Sequence, residues 1–369
     1  MLTSDQNRKI NEIVEEFKEA ADFYRMEYSE DLMGMFRDFG CMLLLKCKVD
    51  TEGKADLERL LEGRHKLKGT VKRQLMTVSE ELAQLWEPGE QDGSGDTGEY
   101  EGSQNVREMF QTALEEIFHF CLYSKGGKNR YLLPEETAKP LLRLITLPEG
   151  MMAGNEGLVV LDTQCGAGSA LMAASRYLKN LRLMGYEKDE EMWAAAVIMS
   201  QLSGLEMELH LEDGARADLY ESCDLVISNP VYGTDTIKDE ELIDQLPGEL
   251  KTVRGRYHME LIRSMQALNF DGKAMLIVPN SFLFANRTES MKVRKWLLQS
   301  YSLEAIISLP EDTFMYSGVR SSVMVFSKPF MSGGWEGHTQ RVLYYNLEKQ
   351  EDKEKQQKEY ERLEEVWSQ

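Results

Sequence analysis

Leu158-Val159-Val160-Leu161-Asp162-Thr163-Gln164-Cys165-Gly166-Ala167-Gly168-Ser169 joins an apolar run to an aspartate and a Gly-x-Gly turn. The run reads as a buried strand, and the segment from Ala170 onward reads as a helix. Two glycines between them let the chain turn tightly and let a ligand approach the backbone before the helix's positive end. Alone, such a turn fits several kinds of nucleotide site, or a plain tight turn. Outward from it, short apolar runs alternate with amphipathic stretches of helical length. Strands are predicted at Leu158–Asp162, Leu181–Tyr186, Met207–Leu211, Asp224–Ser228, Ala274–Pro279, Leu303–Leu309 and Ser322–Ser327. That alternation predicts a doubly wound α/β domain, a mainly parallel sheet flanked by helices.

The tips of the next strands narrow the ligand. Gly185-Tyr186-Glu187 closes the second strand with a carboxylate placed to accept from both hydroxyls of a ribose. Dinucleotide sites share that feature, so NAD stays open at this point. Asp213, after the third strand, is placed to accept from an adenine amino group, or is a turn residue beside Gly214. Jointly, Asp162, Glu187 and Asp213 with the glycines fit an adenosine ligand better than any one of them does. The fourth strand ends in Asn229-Pro230-Val231-Tyr232-Gly233. Asn-Pro after a strand is a common turn, but here it follows three elements in a telling order.

At this point the chain resembles the amino-methyltransferases, whose signature is Asn-Pro-Pro followed by Tyr or Phe. An adenine exocyclic amine is a poor nucleophile because its lone pair is delocalised into the ring. The Asn229 side-chain oxygen and the Pro230 carbonyl can accept both amine hydrogens and aim the lone pair at a sulfonium methyl. Tyr232 offers a face on which an extruded base stacks. A cytosine C5 enzyme would need a cysteine nucleophile in this loop, which has none.

The resemblance runs from about Lys128 to Lys328. Tyr131-Leu132-Leu133-Pro134-Glu135 is similar to the Phe/Tyr-x-x-Pro motif that closes over the cofactor's methionine part. Val278-Pro279-Asn280-Ser281-Phe282-Leu283-Phe284, Arg294 to Leu298, Ile306-Ile307-Ser308-Leu309-Pro310 and Phe314 resemble the modification subunits of type I restriction systems. The resemblance implies a class I S-adenosylmethionine-dependent methyltransferase, a Rossmann-like doubly wound sheet with an N-terminal helical domain. It implies methyl transfer to the N6 amine of adenine in DNA, with Asn229, Pro230 and Tyr232 catalytic. S-adenosylmethionine is the implied cofactor, bound by Tyr131, Pro134, Asp162, Gly166, Gly168, Glu187, Asp213 and Asn229. DNA is reached through a separate specificity subunit, and a restriction subunit is a further partner the family allows. Related enzymes with this signature modify RNA bases or protein glutamine. The chain departs from the family at Thr163 and Val231, where proline is usual. Val231 lacks the ring that stiffens the loop and fixes φ, so a catalytically weak or silent cofactor-binding scaffold is the competing reading.

Composition sets the wider frame. The 369 residues carry 63 acidic against 43 basic side chains, net −20, so the surface as a whole repels a polyanion and nucleic-acid contact must be local or lent by a partner. The five cysteines are scattered without a CxxC pair, which predicts reduced thiols, no metal site and a cytoplasmic setting. Met1-Leu2-Thr3-Ser4-Asp5 has no basic n-region, and no apolar run is of membrane-spanning length, so neither secretion nor membrane insertion is expected. Residues 1–86 are predicted as a helical domain, with Thr3 and Gln6 as a capping box. An acidic linker or loop follows over 87–104. The methyltransferase domain is assigned to 105–346, with a helical lead-in over 105–150. The charged tail, 347–369, reads as a solvated helix or as a docking helix for a partner.

Overall fold

The computed structural model describes residues 2–29, 31–49, 54–62, 67–86, 100–124, 132–145, 157–216, 222–230, 232, 235–286, 288–311, 313–314, 319–329, 341–350 and 353–367. The chain forms two compact units, Met1–Arg130 with Glu190–Glu206, and Tyr131–Asp189 with Met207–Gln369.

The first unit is helical: α1 (Ser4–Glu27), α2 (Met33–Lys46), α3 (Ala55–Glu62), α4 (Gly69–Ala83), α5 (Tyr100–Leu122) and, much later in the chain, α8 (Glu190–Ser203). The capping box forms: Thr3 Oγ1 accepts from the Gln6 amide at 3.3 Å and Gln6 Oε1 from the Thr3 amide at 2.7 Å. Ile10, Ile13, Val14 and Phe17 bury one face of α1. α2 is buried nearly all round, and Gly40 is where α8 comes close: a Cβ there would lie 2.4 Å from Ile198 Cδ1. Arg37, also buried on α2, reaches Glu190 and Glu191 at 3.1 Å each. α5 belongs with these helices, packing on α1 and α2, rather than with the sheet to which the sequence reading attached it. It begins at Tyr100, inside the stretch read as linker; 87–99 lie outside the described residues.

The second unit is the α/β domain. Its helix α6 (Glu135–Arg143) precedes β1 (Leu158–Asp162), α7 (Ser169–Tyr177), β2 (Leu181–Glu187), β3 (Met207–Leu211) and β4 (Cys223–Ser228). Then come α9 (Glu240–Asp244), α10 (Arg256–Gln266), β5 (Leu268–Pro279), α11 (Asn280–Phe284), α12 (Thr288–Ser300), β6 (Ser302–Ser308), β7 (Ser321–Ser327), β8 (Leu343–Asn346) and α13 (Lys353–Trp367). The eight strands run in the order β3-β2-β1-β4-β5-β7-β6-β8, with β7 antiparallel to both its neighbours and every other pairing parallel. This is the class I methyltransferase fold that the sequence predicts, with every predicted strand present. Two features differ. β8 was not anticipated, and β5 starts at Leu268, its first residues forming a bulge in which Asp271 takes φ +63°. α7 packs on β1 and β2, α10 on β4 and β5, and α12 on β6, around a core that includes Leu161, Val226, Ile262, Leu276 and Phe326. α13 is not wholly solvated. It packs on α6, with Leu363 buried and Glu364 paired to Arg143 at 3.1 Å.

Chain order reverses between β1 and β4, and in open sheets of this kind a ligand crevice opens beyond the strand ends at that point.

Candidate active site

Beside the reversal, the β1 loop is held by its own backbone. Asp162, 2% exposed, accepts the Gln164 amide on Oδ1 at 3.0 Å; the Cys165 amide donates to Tyr186 O at 2.9 Å, and the Gly168 amide to Cys165 O at 2.8 Å. Gly166 (φ +56°) and Gly168 (φ +78°) are left-handed, a conformation costly to residues with a Cβ, and Gly168 caps α7. Glu187, at the tip of β2, accepts the Gly166 amide on Oε2 at 3.0 Å and the Asp189 amide on Oε1 at 2.7 Å. The carboxylate is thus pre-oriented, and with about four lone-pair sites it keeps two for a diol. Burial lifts both acids. Asp162 rises to about 7, burial outweighing the Gln164 amide while the charge of Glu187 adds to it; Glu187 rises through burial against the amides of Asp189 and Gly166.

The loop after β3 crosses directly against this one. A Cβ on Gly214 would lie 2.0 Å from the Thr163 carbonyl oxygen, so only glycine fits. The crossing carries Asp213 to the first turn of α10, where Arg256 Nη1 donates to both its oxygens at 3.1 and 2.9 Å, and the Ala215 amide donates at 3.2 Å. The same nitrogen lies 3.5 Å from Glu260 Oε1. Glu260 is 3% exposed, and burial raises it to about 7 against the pull of Arg256 and Lys188. Its Oε2 and the hydroxyl of Tyr257, 7% exposed, are buried without a hydrogen-bond partner among the described residues. Buried polar atoms are nearly always paired, so this donor and acceptor fit a polar ligand or water beside them. Sequence reasoning missed Arg256, Tyr257 and Glu260. The available signal was an Arg-x-x-x-Glu pair one helical turn apart, which ordinarily marks a solvated face.

At the tip of β4, Asn229 is half-buried and Pro230 buried. Tyr232 stands edge-on to Tyr257, with ring centres 5.7 Å apart, and its hydroxyl lies 3.3 Å from Ser321 Oγ on β7. Tyr257 in turn meets Phe282 at 5.9 Å. Thr163, where proline is usual, is buried and shares hydrogen bonds with Ser264 of α10 and the Gln164 side chain; Ser228, next to Asn229, donates to Gln164 Oε1 at 3.5 Å. The structure thus joins Asp162, Gly166, Gly168 and Glu187 in one hydrogen-bonded loop, brings Asp213 against it through Gly214, and sets Asn229, Pro230 and Tyr232 beside it. Pro134 opens α6, which packs on α7, the helix the glycine loop leads into. Tyr131 and Val231 lie outside the described residues.

The donor set suits S-adenosylmethionine. Carboxylates stand at the ends of β1, β2 and β3, in register through Asp162↔Gly185 and Glu187↔Leu211, facing a ligand that is rich in hydroxyl and amino donors and carries a sulfonium charge. All five cysteines are buried and free; Cys165 packs against Gly185, and burial pushes the Cys223 thiol up to about 12. Among the described residues there is no cluster of His, Cys, Asp and Glu able to hold a metal, and no helix long and apolar enough to cross a membrane.

Similarity to known proteins follows the same lines. Over 298 residues the chain is 24% identical to the type I restriction enzyme MjaVII methylase subunit of Methanocaldococcus jannaschii, covering 74% of this chain and 47% of that one. Over 213 residues it is 26% identical to the type II restriction enzyme and methyltransferase RM.BcgI of Heyndrickxia coagulans, covering 53% and 31%. The chain therefore spans a third to a half of these relatives' lengths. A Listeria monocytogenes protein described as a class I S-adenosylmethionine-dependent methyltransferase superposes with a TM-score of 0.67 at 18% identity, covering 98% of this chain and all of that one, which supports the fold alone. The N-6 DNA Methylase family model matches residues 107–367, well over half of the chain. The chain belongs to the N-6 DNA methylase family.

Proposed function

We propose that this chain transfers a methyl group from S-adenosylmethionine to the N6 amine of adenine in DNA, as a modification subunit that reaches its sites with a separate specificity subunit. A restriction subunit is a further partner of such an assembly. The observation that carries the reading is the meeting of Asn229-Pro230, at the tip of β4, with the carboxylate-lined glycine loop of β1 across the switch point. Asn229 Oδ1 and the Pro230 carbonyl accept the two amine hydrogens, so the nitrogen lone pair is freed from the ring and directed outward. Tyr232, anchored at its hydroxyl by Ser321 and along its edge by Tyr257, supports the base out of the stack. Glu187 accepts from the ribose hydroxyls, Asp213 from the adenine amine, and Pro134 with Tyr131 covers the methionine end. S-adenosylmethionine, when bound, supplies the electrophilic methyl.

The test is methyl transfer from labelled S-adenosylmethionine to DNA by the chain with its specificity partner, read as N6-methyladenine by mass spectrometry of digested product. Transfer should vanish in Asn229→Ala while cofactor binding by calorimetry stays nearly intact, since Glu187 and the glycine loop carry most of it. A chain that binds cofactor yet labels RNA or a glutamine peptide and not DNA overturns the substrate. Cofactor binding with no transfer to any of them leaves the scaffold reading that Val231 supports.

A further inference from the structure

The chain's charge is not evenly spread. Residues 251–300 hold nine Lys and Arg against three Asp and Glu, inside a chain of net −20. Four of the nine are occupied, and Arg287 lies outside the described residues. Arg256 serves Asp213 and Glu260, Arg263 is buried, Lys273 pairs with Glu304, and Arg294 donates to the carbonyls of Phe282 and Ala285. Lys251, Arg254, Lys292 and Lys295 remain at least partly open to solvent. The acids of the segment do not neutralise them. Glu260 is buried, Asp271 lies at the far end of β5, and Glu289 is taken up by the amides of Arg254 and Gly255, at 2.9 and 3.1 Å.

Hydrogen bonds link Lys251, Arg254 and Lys292 into one rim, and Lys295 follows three residues after Lys292 on α12. Lys292 Nζ donates to Thr252 Oγ1, and Glu289 ties the start of α12 to the turn before α10. That turn is joined to the segment following the catalytic loop, with the Ile237 amide on Arg254 O at 2.7 Å and the Arg256 amide on Asp235 O at 2.8 Å. Lys251 and Arg254 meet Asp244 and Glu240 at 3.1 and 3.9 Å, but these are exposed pairs of little strength that a phosphate can displace. At the end of α11, which follows β5, Phe284 is 73% exposed. Its loop is rigid, because Arg294 holds the carbonyls on either side of it and lies over the Phe282 ring at 5.9 Å.

We propose that this rim is the chain's own nucleic-acid contact surface, with Lys251, Arg254, Lys292 and Lys295 meeting phosphates and Phe284 stacking on a base next to the extruded adenine. Cations along a backbone track with a preorganised aromatic among them are what an opened strand requires. The inference rests on the reading that the substrate is DNA.

The test uses the full chain with its specificity partner, S-adenosylmethionine and a short duplex that carries the partner's site with its target adenine, alongside the same duplex with that adenine mismatched. Lys292→Glu with Lys295→Glu should reduce the salt slope of log affinity by about 1.8, roughly 0.9 for each phosphate no longer neutralised. Lys251→Glu, a separate variant in the turn before α10, should reduce it by about 0.9. Phe284→Ala should slow methylation of the matched duplex about tenfold and that of the mismatched duplex far less, since stacking matters most where the base must be pulled out. Thermal unfolding and cofactor affinity should stay as in the parent chain. Unchanged salt slopes, or equal slowing on both duplexes, overturns the rim while methylation continues and the substrate reading survives; the rim would then fall to a protein partner. A parent assembly that binds cofactor but neither binds nor methylates DNA overturns both.

Discussion

Replacing Glu187 by glutamine tests the cofactor site at its best-defined point. The carboxylate accepts two amides, from Gly166 at 3.0 Å and Asp189 at 2.7 Å, and retains lone pairs for a ribose diol. Glutamine has one acceptor oxygen, so its NH2 group must face either one of those amides or a ribose hydroxyl. Hydrogen bonds to a charged acceptor are worth about 1.5–3 kcal/mol each. Losing one to the ribose, with some loosening of the glycine loop, gives about 2–4 kcal/mol in cofactor affinity, or roughly 30- to 700-fold. Glu187→Ala removes every acceptor and should cost more. The assay is calorimetric titration of S-adenosylmethionine at pH 8, with NAD as control. Affinities of both variants within threefold of the parent would remove Glu187 from the site. The pH dependence supplies a second readout. Burial raises Glu187 above its ordinary value, so a proton must leave before the carboxylate can accept from the diol, and affinity should weaken as pH falls through the raised value. The Gln variant should lose that part of the slope, leaving only what Asp162 contributes.

Asp162→Asn should change stability with pH. The folded state holds the Asp162 proton up to about pH 7 while the unfolded chain releases it near 4, so stability falls across that window and is level above it. Asparagine still accepts the Gln164 amide without the buried charge, so the apo variant should unfold later than the parent at pH 8, by at most about 4 kcal/mol, with the gap closing towards pH 4; parallel melting profiles would refute this. Gly214→Ala forces a Cβ to 2.0 Å from a backbone oxygen, whereas Gly40→Ala meets only side-chain atoms, Ile198 Cδ1 at 2.4 Å with Cγ1 and Cγ2 at 2.8 Å, and gains about 1 kcal/mol of helix propensity that offsets part of the cost. Denaturant titrations should therefore rank Gly214→Ala well above Gly40→Ala in cost, with about 3 kcal/mol or more for the former, and the reverse order would show that the loop crossing yields. Val231→Pro restores the stiff ring in the catalytic loop and should raise the single-turnover rate several-fold without changing cofactor affinity; a slower variant would mean that the loop uses the valine amide.

What the sequence made legible follows from where each residue sits. Central parallel strands are covered on both faces, so β1 and, Asp224 apart, β4 appear as apolar runs, and the residue that closes or follows each run lies at the crevice. Asp162 and Asn229 could be picked out on that ground; Glu187 closes β2, whose burial is interrupted at Arg182, and was read from its place after the glycine turn. β8 is an edge strand of four residues with Tyr344 mostly exposed, and Asp271-Gly272 reads as a turn although the structure uses it as a bulge inside β5. The grouping of α8 with the N-terminal helices had a signal that was not used. Met192 to Leu202 is buried almost without interruption, and a helix apolar on every side must be covered all round.

The least legible element is the one that relates the loops to each other. α10 offers no motif, yet Ser264 bonds Thr163 of the glycine loop, Arg256 holds Asp213 after β3, and Tyr257 packs against Tyr232 of the catalytic loop. Each of these interactions involves a different strand tip, and all three come from within nine residues of one rigid helix. One departure from the family pattern, Thr163, is among them. Thr163 gains through its hydroxyl a tether that proline cannot make, and the residue after Val231 is gripped by Tyr257 and Ser321. The ring absent at Thr163 is thus replaced by a side-chain bond to α10, and Tyr232 is held from two elements, by Tyr257 of α10 and Ser321 of β7.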